Sequence, residues 1–198
     1  MKQLAIIYIF FLTVPSTYAG SFQSGYYYDL QGRKLDGLLQ YVQGSFGLLW
    51  TSSGYLKFKN NPDSKTISLS PNEIQSFVIG TDSFVVLKNI KVNSTSGNFK
   101  KDFAVVNRIG AVNLYVHQCR LYNGRFYFEH PSYILSKGDS STIIIWKPNK
   151  QKEQIARFFQ DRNDLEKLVI SDKYYLKIPE LVDLYNSSNI ERSPKKLD

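Results

Sequence analysis

Apolar and polar residues alternate with the two-residue period of a β-strand from Gly20 to about Trp146, and turn-forming residues interrupt this pattern repeatedly. Residues 26–28, the turn at 29–32 and residues 34–42 together predict a β-hairpin. Further strands are predicted at residues 46–51, 55–59, 66–69, 74–79, 83–92, 103–106, 112–122, 126–130 and 142–146. Asn123-Gly124 predicts a two-residue hairpin turn between two of them.

After Trp146 the apolar spacing changes to the three and four residues of an amphipathic helix. The spacing predicts helices around Ile155, Leu165 and Ile178, each too short to be stable alone and therefore expected to dock on the sheet. We expect these helical side chains to be buried: Phe158, Phe159, Leu165, Leu168, Leu181 and Tyr185. The predicted fold is α+β: a mostly antiparallel sheet, sandwich or partly open barrel, followed by two or three short C-terminal helices packed on it.

The amino terminus has the organisation of a secretory signal peptide. Lys2 precedes an apolar stretch at residues 4–14, and the small residue Ala19 stands before Gly20. The stretch is shorter than the roughly 20 residues of a membrane-spanning helix, and no cysteine near the expected cut indicates a lipid anchor. We therefore expect cleavage after Ala19, a single domain at 20–186, a flexible tail at 187–198, and a secreted or periplasmic protein with no transmembrane segment.

Composition indicates the type of secondary structure and the cellular compartment of the protein. Aromatic residues make up 15% of the chain, which favours sheet, and Cys119 is the only cysteine, which excludes an intrachain disulfide. Export without disulfides suits a periplasm or bacterial exterior better than a eukaryotic secretory route. The formal net charge is +8. Between residues 84 and 128 the basic residues are Lys88, Lys91, Lys100, Lys101, Arg108, Arg120 and Arg125, and Asp102 is the one acid.

Such a basic region attracts an anionic glycan, lipopolysaccharide or nucleic acid, although solvated strand faces are the simpler interpretation. No specific nucleic-acid motif accompanies it. An envelope protein is another candidate partner.

His117 and Cys119 are the best candidates for reactive chemistry, because residues two apart in a strand share a face. A neighbouring imidazole activates a thiol nucleophile, and both side chains can bind a metal. His130 is the only other histidine, however, and no third ligand stands at metal-site spacing. We therefore interpret Cys119 as a structural core residue and assign no catalytic residue, metal or cofactor. The sequence also lacks a phosphate-binding loop and a nucleophile elbow, so it does not support enzymatic activity.

Aromatic residues provide the candidate ligand-binding surface. Tyr26 and Tyr28 share one strand face, and Trp50 and Tyr55 follow in the next strands. Tyr and Trp combine an apolar ring with a polar edge, which suits a platform for sugars or a partner protein. The alternative is that the core and the C-terminal helices cover both faces.

The order of these features resembles a group of uncharacterised, exported, strand-rich proteins of Bacteroidetes-type bacteria. The resemblance is carried by a Gly-Tyr-rich hairpin at 25–39, a Pro-x-Glu-Ile segment at 71–77, the strand residues Gly110, Val112, Leu114 and Tyr115, and the helical residues Phe159, Asp161, Leu165, Tyr185 and Asn186. It implies export and the strand-then-helix layout, and it implies no site residues. We expect an exported, non-catalytic binding or envelope-associated protein. A structural component of a cell-surface complex is the alternative, and a hydrolase ranks third.

Overall fold

The computed structural model describes residues 21–92, 97–138, 141–171 and 177–190, and within them the chain forms twelve strands and three α-helices. The strands are β1 (Gln23–Asp29), β2 (Lys34–Val42), β3 (Gly44–Phe46), β4 (Thr51–Ser52), β5 (Tyr55–Lys59), β6 (Ile67–Leu69), β7 (Ile74–Ile79), β8 (Asp82–Lys91), β9 (Asn98–Arg108), β10 (Asn113–Tyr122), β11 (Tyr127–Lys137) and β12 (Ser141–Ile145). The helices are α1 (Lys152–Phe158), α2 (Asn163–Ser171) and α3 (Ile178–Ile190), and a 3-10 turn at Pro148–Lys150 precedes them.

The predicted signal peptide lies outside the described residues. At the other end, α3 continues to Ile190, which is past the predicted start of the tail at residue 187. Residues 191–198 also lie outside the described part of the chain. The described residues contain no helix long and apolar enough to cross a membrane.

The strands form one mostly antiparallel sheet that curls into a half-barrel, in the order β12-β11-β10-β9-β8-β7-β1-β2-β5-β6. β9 pairs with β10 as far as Val105 and Val116, and the two strands then separate. β3 pairs with the part of β10 that β9 leaves unpaired. It runs parallel to β10, with Gly44 opposite Cys119 and Phe46 opposite Leu121. β4 pairs with β3 in turn. The predicted α+β class is confirmed.

The first hairpin confirms the sequence prediction, because β1 and β2 pair in register around a turn. Gly32 adopts a φ of 78° there, a conformation that glycine reaches without steric cost. Asp29 Oδ1 accepts hydrogen bonds from the backbone N–H groups of Gln31 and Arg33, both at 2.9 Å. This carboxylate therefore closes the turn.

Aromatic rings fill the core inside the curl. Phe77 stacks on Phe84 with ring centres 4.4 Å apart, the Tyr41 ring packs against both, and the Phe103 ring packs against Phe77 and Tyr41. A second cluster joins the helices to the far end of the sheet, where Leu114, Leu135 and Ile145 of β10–β12 are buried beneath them. The described helices therefore share a buried cluster with the sheet.

Five of the six helical residues expected in the core are buried, and Leu168 is the exception. Leu168 is 44% exposed, because the nine-residue α2 faces the core through Leu165 and Val169 only. A helix this short buries a narrow stripe, and the residue one position before Val169 falls on its flank.

Four predictions for the sheet were wrong, and one of them is β9, which spans Asn98–Arg108 rather than residues 103–106. Residues 46–51 form not one strand but the end of β3, a turn at 47–50 and the start of β4. β10 and β11 are joined by four residues rather than two, since Tyr122 pairs with Tyr127. β11 also continues past His130 to Lys137, through Pro131. The neighbouring β12 pairs with β11 only from Tyr133 onward, so proline costs no ladder hydrogen bond on that side.

Candidate functional site

The buried pair Asp102–His117 occupies the point where β9 and β10 separate. Asp102 Oδ2 lies 2.9 Å from His117 Nε2, and both side chains are completely buried. Asp102 Oδ1 accepts hydrogen bonds from the backbone N–H groups of Gly54 (2.9 Å) and Phe103 (2.8 Å). A Cβ at Gly44 would lie 2.7 Å from Asp102 Oδ2, so glycine is required for this close approach. The pair thus ties three segments together beyond the reach of a substrate.

Cys119 follows His117 on the same face, but the geometry does not activate its thiol. The sulfur donates a hydrogen bond to the carbonyl of His130 at 3.4 Å, while His117 Nε2 faces Asp102. Burial, reinforced by the negative charges of Asp102 and Glu129, raises the pKa of the Cys119 thiol far above its usual range. A neutral, enclosed thiol is a poor nucleophile. This arrangement supports the structural interpretation of Cys119.

His130 sits directly opposite Cys119 on β11. Burial lowers its pKa, which favours the neutral imidazole, and its ring packs on Phe46 with centres 5.6 Å apart. A hydrogen bond to the backbone of Val92 holds the end of β8 over β11. Within the described residues, no group of three or more His, Cys, Asp or Glu side chains could hold a metal ion.

The four aromatic residues chosen from the sequence do not converge. Tyr26 and Tyr28 contact each other edge to face at 5.6 Å, and Lys34 Nζ lies 4.2 Å from the centre of the Tyr26 ring. Tyr26 pairs with Asp36 and Tyr55 with Val42, on either side of β2. Those partners are six residues apart along β2, a separation of about 20 Å.

Trp50 lies in the β3–β4 turn, where its indole packs over the backbone of Gly47 and remains 40% exposed. Binding of a ligand by any of these four aromatics stays a prediction.

The structure reveals a different surface, which we name the apolar tip. Its members are exposed apolar residues of two neighbouring turns and of the first two positions of β11: Leu48, Leu49, Trp50, Phe126, Tyr127 and Phe128. Leu48 and Leu49 are 79% and 91% exposed, and Phe126 is 65% exposed. Because β3 runs parallel to β10, the turns that follow these strands leave the sheet at the same end. Monomeric proteins rarely leave such groups of large apolar residues in water without a function.

Both turns are held by hydrogen bonds that fix the exposed residues. Gly47 N–H donates to the carbonyl of Trp50 at 2.9 Å. Asn123 Oδ1 accepts from the backbone N–H groups of Arg125 and Phe126, at 3.0 and 2.9 Å. Gly124 supports this turn with a φ of 97°. The leucines and Phe126 are therefore presented by defined turns.

Sequence analysis misses Leu48 and Leu49, because an apolar run of this length is typical of a strand. It does indicate the aromatic members of the tip, with Trp50 as a candidate ligand contact and residues 126–128 as a strand with aromatic side chains on both faces. Gly47 was the available signal, since a glycine inside a strand pattern often marks a turn or bulge.

A groove of about 560 Å³ opens beside the same turn. It is lined by Thr51 and Ser53 on one side, the turn at residues 70–72 on another, and Lys100 and Lys101 of β9 on a third. Hydroxyl and ammonium groups of this kind suit an anionic or polyhydroxylated group.

No family model, no curated protein and no solved structure matches this chain.

Proposed function

We propose that this chain is an exported, non-catalytic binding protein associated with the cell envelope, and that the apolar tip is its binding surface. The observation that carries the proposal is the exposure of Leu48 and Leu49 on a hydrogen-bonded turn, at the same end of the sheet as the exposed Phe126. The predicted signal peptide supports export, and the enclosed Asp102–His117 pair offers no reactive group to a substrate.

Fractionation of the native host tests this proposal. The full gene is expressed as wild type, as the double variant Leu48→Ser/Leu49→Ser, and as the control Leu30→Ser. Leu30 is a matched control because it is also an exposed leucine, with 51% of its surface exposed. It lies in the β1–β2 turn at the start of β2, whereas the apolar tip follows β3 beyond the other end of β2. We expect wild type and control in the envelope fraction and the double variant released from it.

Two results would contradict the proposal separately. A protein that retains Met1 and remains in the cytosol would contradict export, whereas N-terminal sequencing is expected to find Gly20 first. Exported wild-type protein that stays entirely outside the envelope fraction would contradict envelope association.

A further inference from the structure

The residues of the apolar tip can be ordered by their exposed fraction. The aliphatic Leu48 and Leu49 are the most exposed of them. Trp50 folds back over Gly47, and Tyr127 lies at the start of β11. Trp and Tyr prefer the headgroup level of a membrane, whereas leucine partitions into the hydrocarbon beneath it. This order matches the polarity profile of a bilayer surface.

Cations surround these apolar residues. Arg125 is exposed in the β10–β11 turn beside Phe126. The Arg120 guanidinium lies 5.3 Å from the centre of the Tyr127 ring. Lys91 ends β8 next to Val92, whose backbone is hydrogen-bonded to His130 of β11. Three different strands or turns therefore bring positive charge to one end of the molecule.

One acid, Glu129, lies directly opposite Arg120 on β11 and offsets part of this charge, so a net positive charge remains. In the part of the chain that the structure describes, none of Lys91, Arg120 and Arg125 forms an ion pair. The acid of the basic region, Asp102, is buried against His117. Lys100 and Lys101 add further positive charge in the groove beside Thr51. Exposed apolar residues ringed by unpaired cations are the combination that binds surfaces of anionic lipid.

We infer that the apolar tip docks on a membrane surface that contains anionic lipid, with Leu48 and Leu49 inserted below the headgroups. This inference rests on the proposed function and names its partner. A protruding turn with aliphatic residues at its end does not resemble the concave, hydrogen-bonding sites that bind small molecules or sugars. A lipid surface, in contrast, accepts a convex apolar tip and neutralises the cations around it.

Tryptophan fluorescence tests the docking directly. The chain contains two tryptophans, so Trp146→Phe leaves Trp50 as the reporter inside the tip. Vesicles of phosphatidylcholine with and without phosphatidylglycerol are added, and brominated lipids report the depth of the indole. We expect a blue shift and bromine quenching of Trp50 with the anionic vesicles, in the full chain and in a chain that begins at Gly20.

Substitutions identify the groups responsible. We expect Leu48→Ser/Leu49→Ser to weaken vesicle binding about tenfold or more, since two inserted side chains are lost. Arg125→Gln should weaken it about fivefold on anionic vesicles and leave the weak binding to neutral vesicles unchanged. Leu30→Ser should bind like wild type. Circular dichroism and thermal unfolding check that every variant is folded.

Four outcomes would overturn the inference. Vesicle binding that the double variant retains in full would show that another surface binds. Binding by the full chain alone would assign it to residues 1–19. Concentration-dependent association of the wild type that the same double variant abolishes, without vesicle binding, would identify a second copy as the occupant. Tip-dependent envelope association without vesicle binding would identify an envelope protein or glycan, and the proposed function would stand while the lipid inference fails.

Discussion

His117 Nε2 lies 2.9 Å from Asp102 Oδ2 at the place where the backbone pairing of β9 and β10 ends. The pair replaces the missing ladder bonds, and the second carboxylate oxygen holds Gly54 of the segment between β4 and β5. A buried polar group is stabilising only while its partners remain, because an unpaired one carries its full desolvation cost.

Asp102→Ala is therefore expected to lower the free energy of unfolding by about 3 kcal/mol or more, since it leaves His117 and two backbone N–H groups without their acceptor. Urea denaturation measures the change. Asp36→Ala is the control: its carboxylate forms an exposed ion pair with Lys34, and its loss should cost less than about 1 kcal/mol. Equal costs for the two variants would contradict a stabilising role of the buried pair. His117→Gln provides a second test if Asp102→Ala does not fold.

Cys119 is expected to resist thiol reagents in the folded protein, because it is fully buried and its thiol pKa is raised. Ellman's reagent should label it only after unfolding in guanidinium chloride. Cys119→Ser should cost about 1 kcal/mol of stability and leave envelope association unchanged. Rapid labelling of the native protein, or a folded Cys119→Ser variant without binding, would show that the thiol has a functional role.

The sequence predicted the parts of this fold that depend on local periodicity. Alternation of apolar and polar residues predicts the strand with Tyr26–Tyr28 and its partner strand. Helical spacing predicts the buried side chains of Phe159 and Tyr185. The contact of Asp102 with His117 depends instead on the register of two strands, and no local pattern encodes it. For the apolar tip, Gly47 is a local signal of the turn, but the strand pairing that brings this turn to the same end as residues 123–126 is not encoded locally. Residues 47–50 form a turn at the end of β3, and β3 ends there as the neighbour of β10 in place of β9. This pairing depends on residues far away in sequence.

Asp161 should make the stability of the domain sensitive to acid. Its carboxylate accepts hydrogen bonds from Lys137 Nζ (2.6 Å) and from the Tyr185 hydroxyl. Burial alone would raise the pKa of Asp161, but these hydrogen bonds outweigh it and lower the pKa below its usual value. The unfolded chain therefore takes up a proton first as the pH falls, so the stabilisation is present above about pH 4 and is lost below it.

Asp161→Asn should consequently lower Tm by about 2–4 °C at neutral pH, and the difference from wild type should shrink toward about pH 2. Calorimetry at both pH values measures this. Asp63→Asn, in an exposed turn, should leave Tm unchanged at either pH. If the Tm difference between wild type and Asp161→Asn is as large in acid as at neutral pH, the charge of Asp161 is excluded as the cause of that difference.

Lys137 should be a principal link between the sheet and the helices. Its ammonium donates to Asp161 and to the carbonyl of Phe158, and lies 4.6 Å from the centre of the Tyr185 ring. Lys137→Met keeps the length of the side chain but removes these bonds, and we expect Tm to fall by about 3–6 °C. Lys167→Met is the comparison, at an exposed position of α2, and should change Tm by less than about 2 °C. Equal shifts would show that the Lys137 contacts add no stability.

Removal of all residues after Trp146 is expected to make the remaining sheet aggregate. The helices cover Leu114, Leu135 and Ile145, and without them this face of β10–β12 is open to water. Size-exclusion chromatography and light scattering measure the outcome, and a chain ending at Ile190 is the control because it retains all three helices.

A chain ending at Trp146 that stays soluble, monomeric and as heat-stable as the control would show that the helices are an appendage to an independently stable sheet. Their apolar stripes would then be free to bind a partner, and the apolar tip would have a competitor as the binding surface. Aggregation of the truncated chain, together with an unchanged control, would place the helices in the folding unit. The helices would then cover the apolar face of β10–β12 as part of the fold, and they would not compete with the exposed apolar tip as a binding surface.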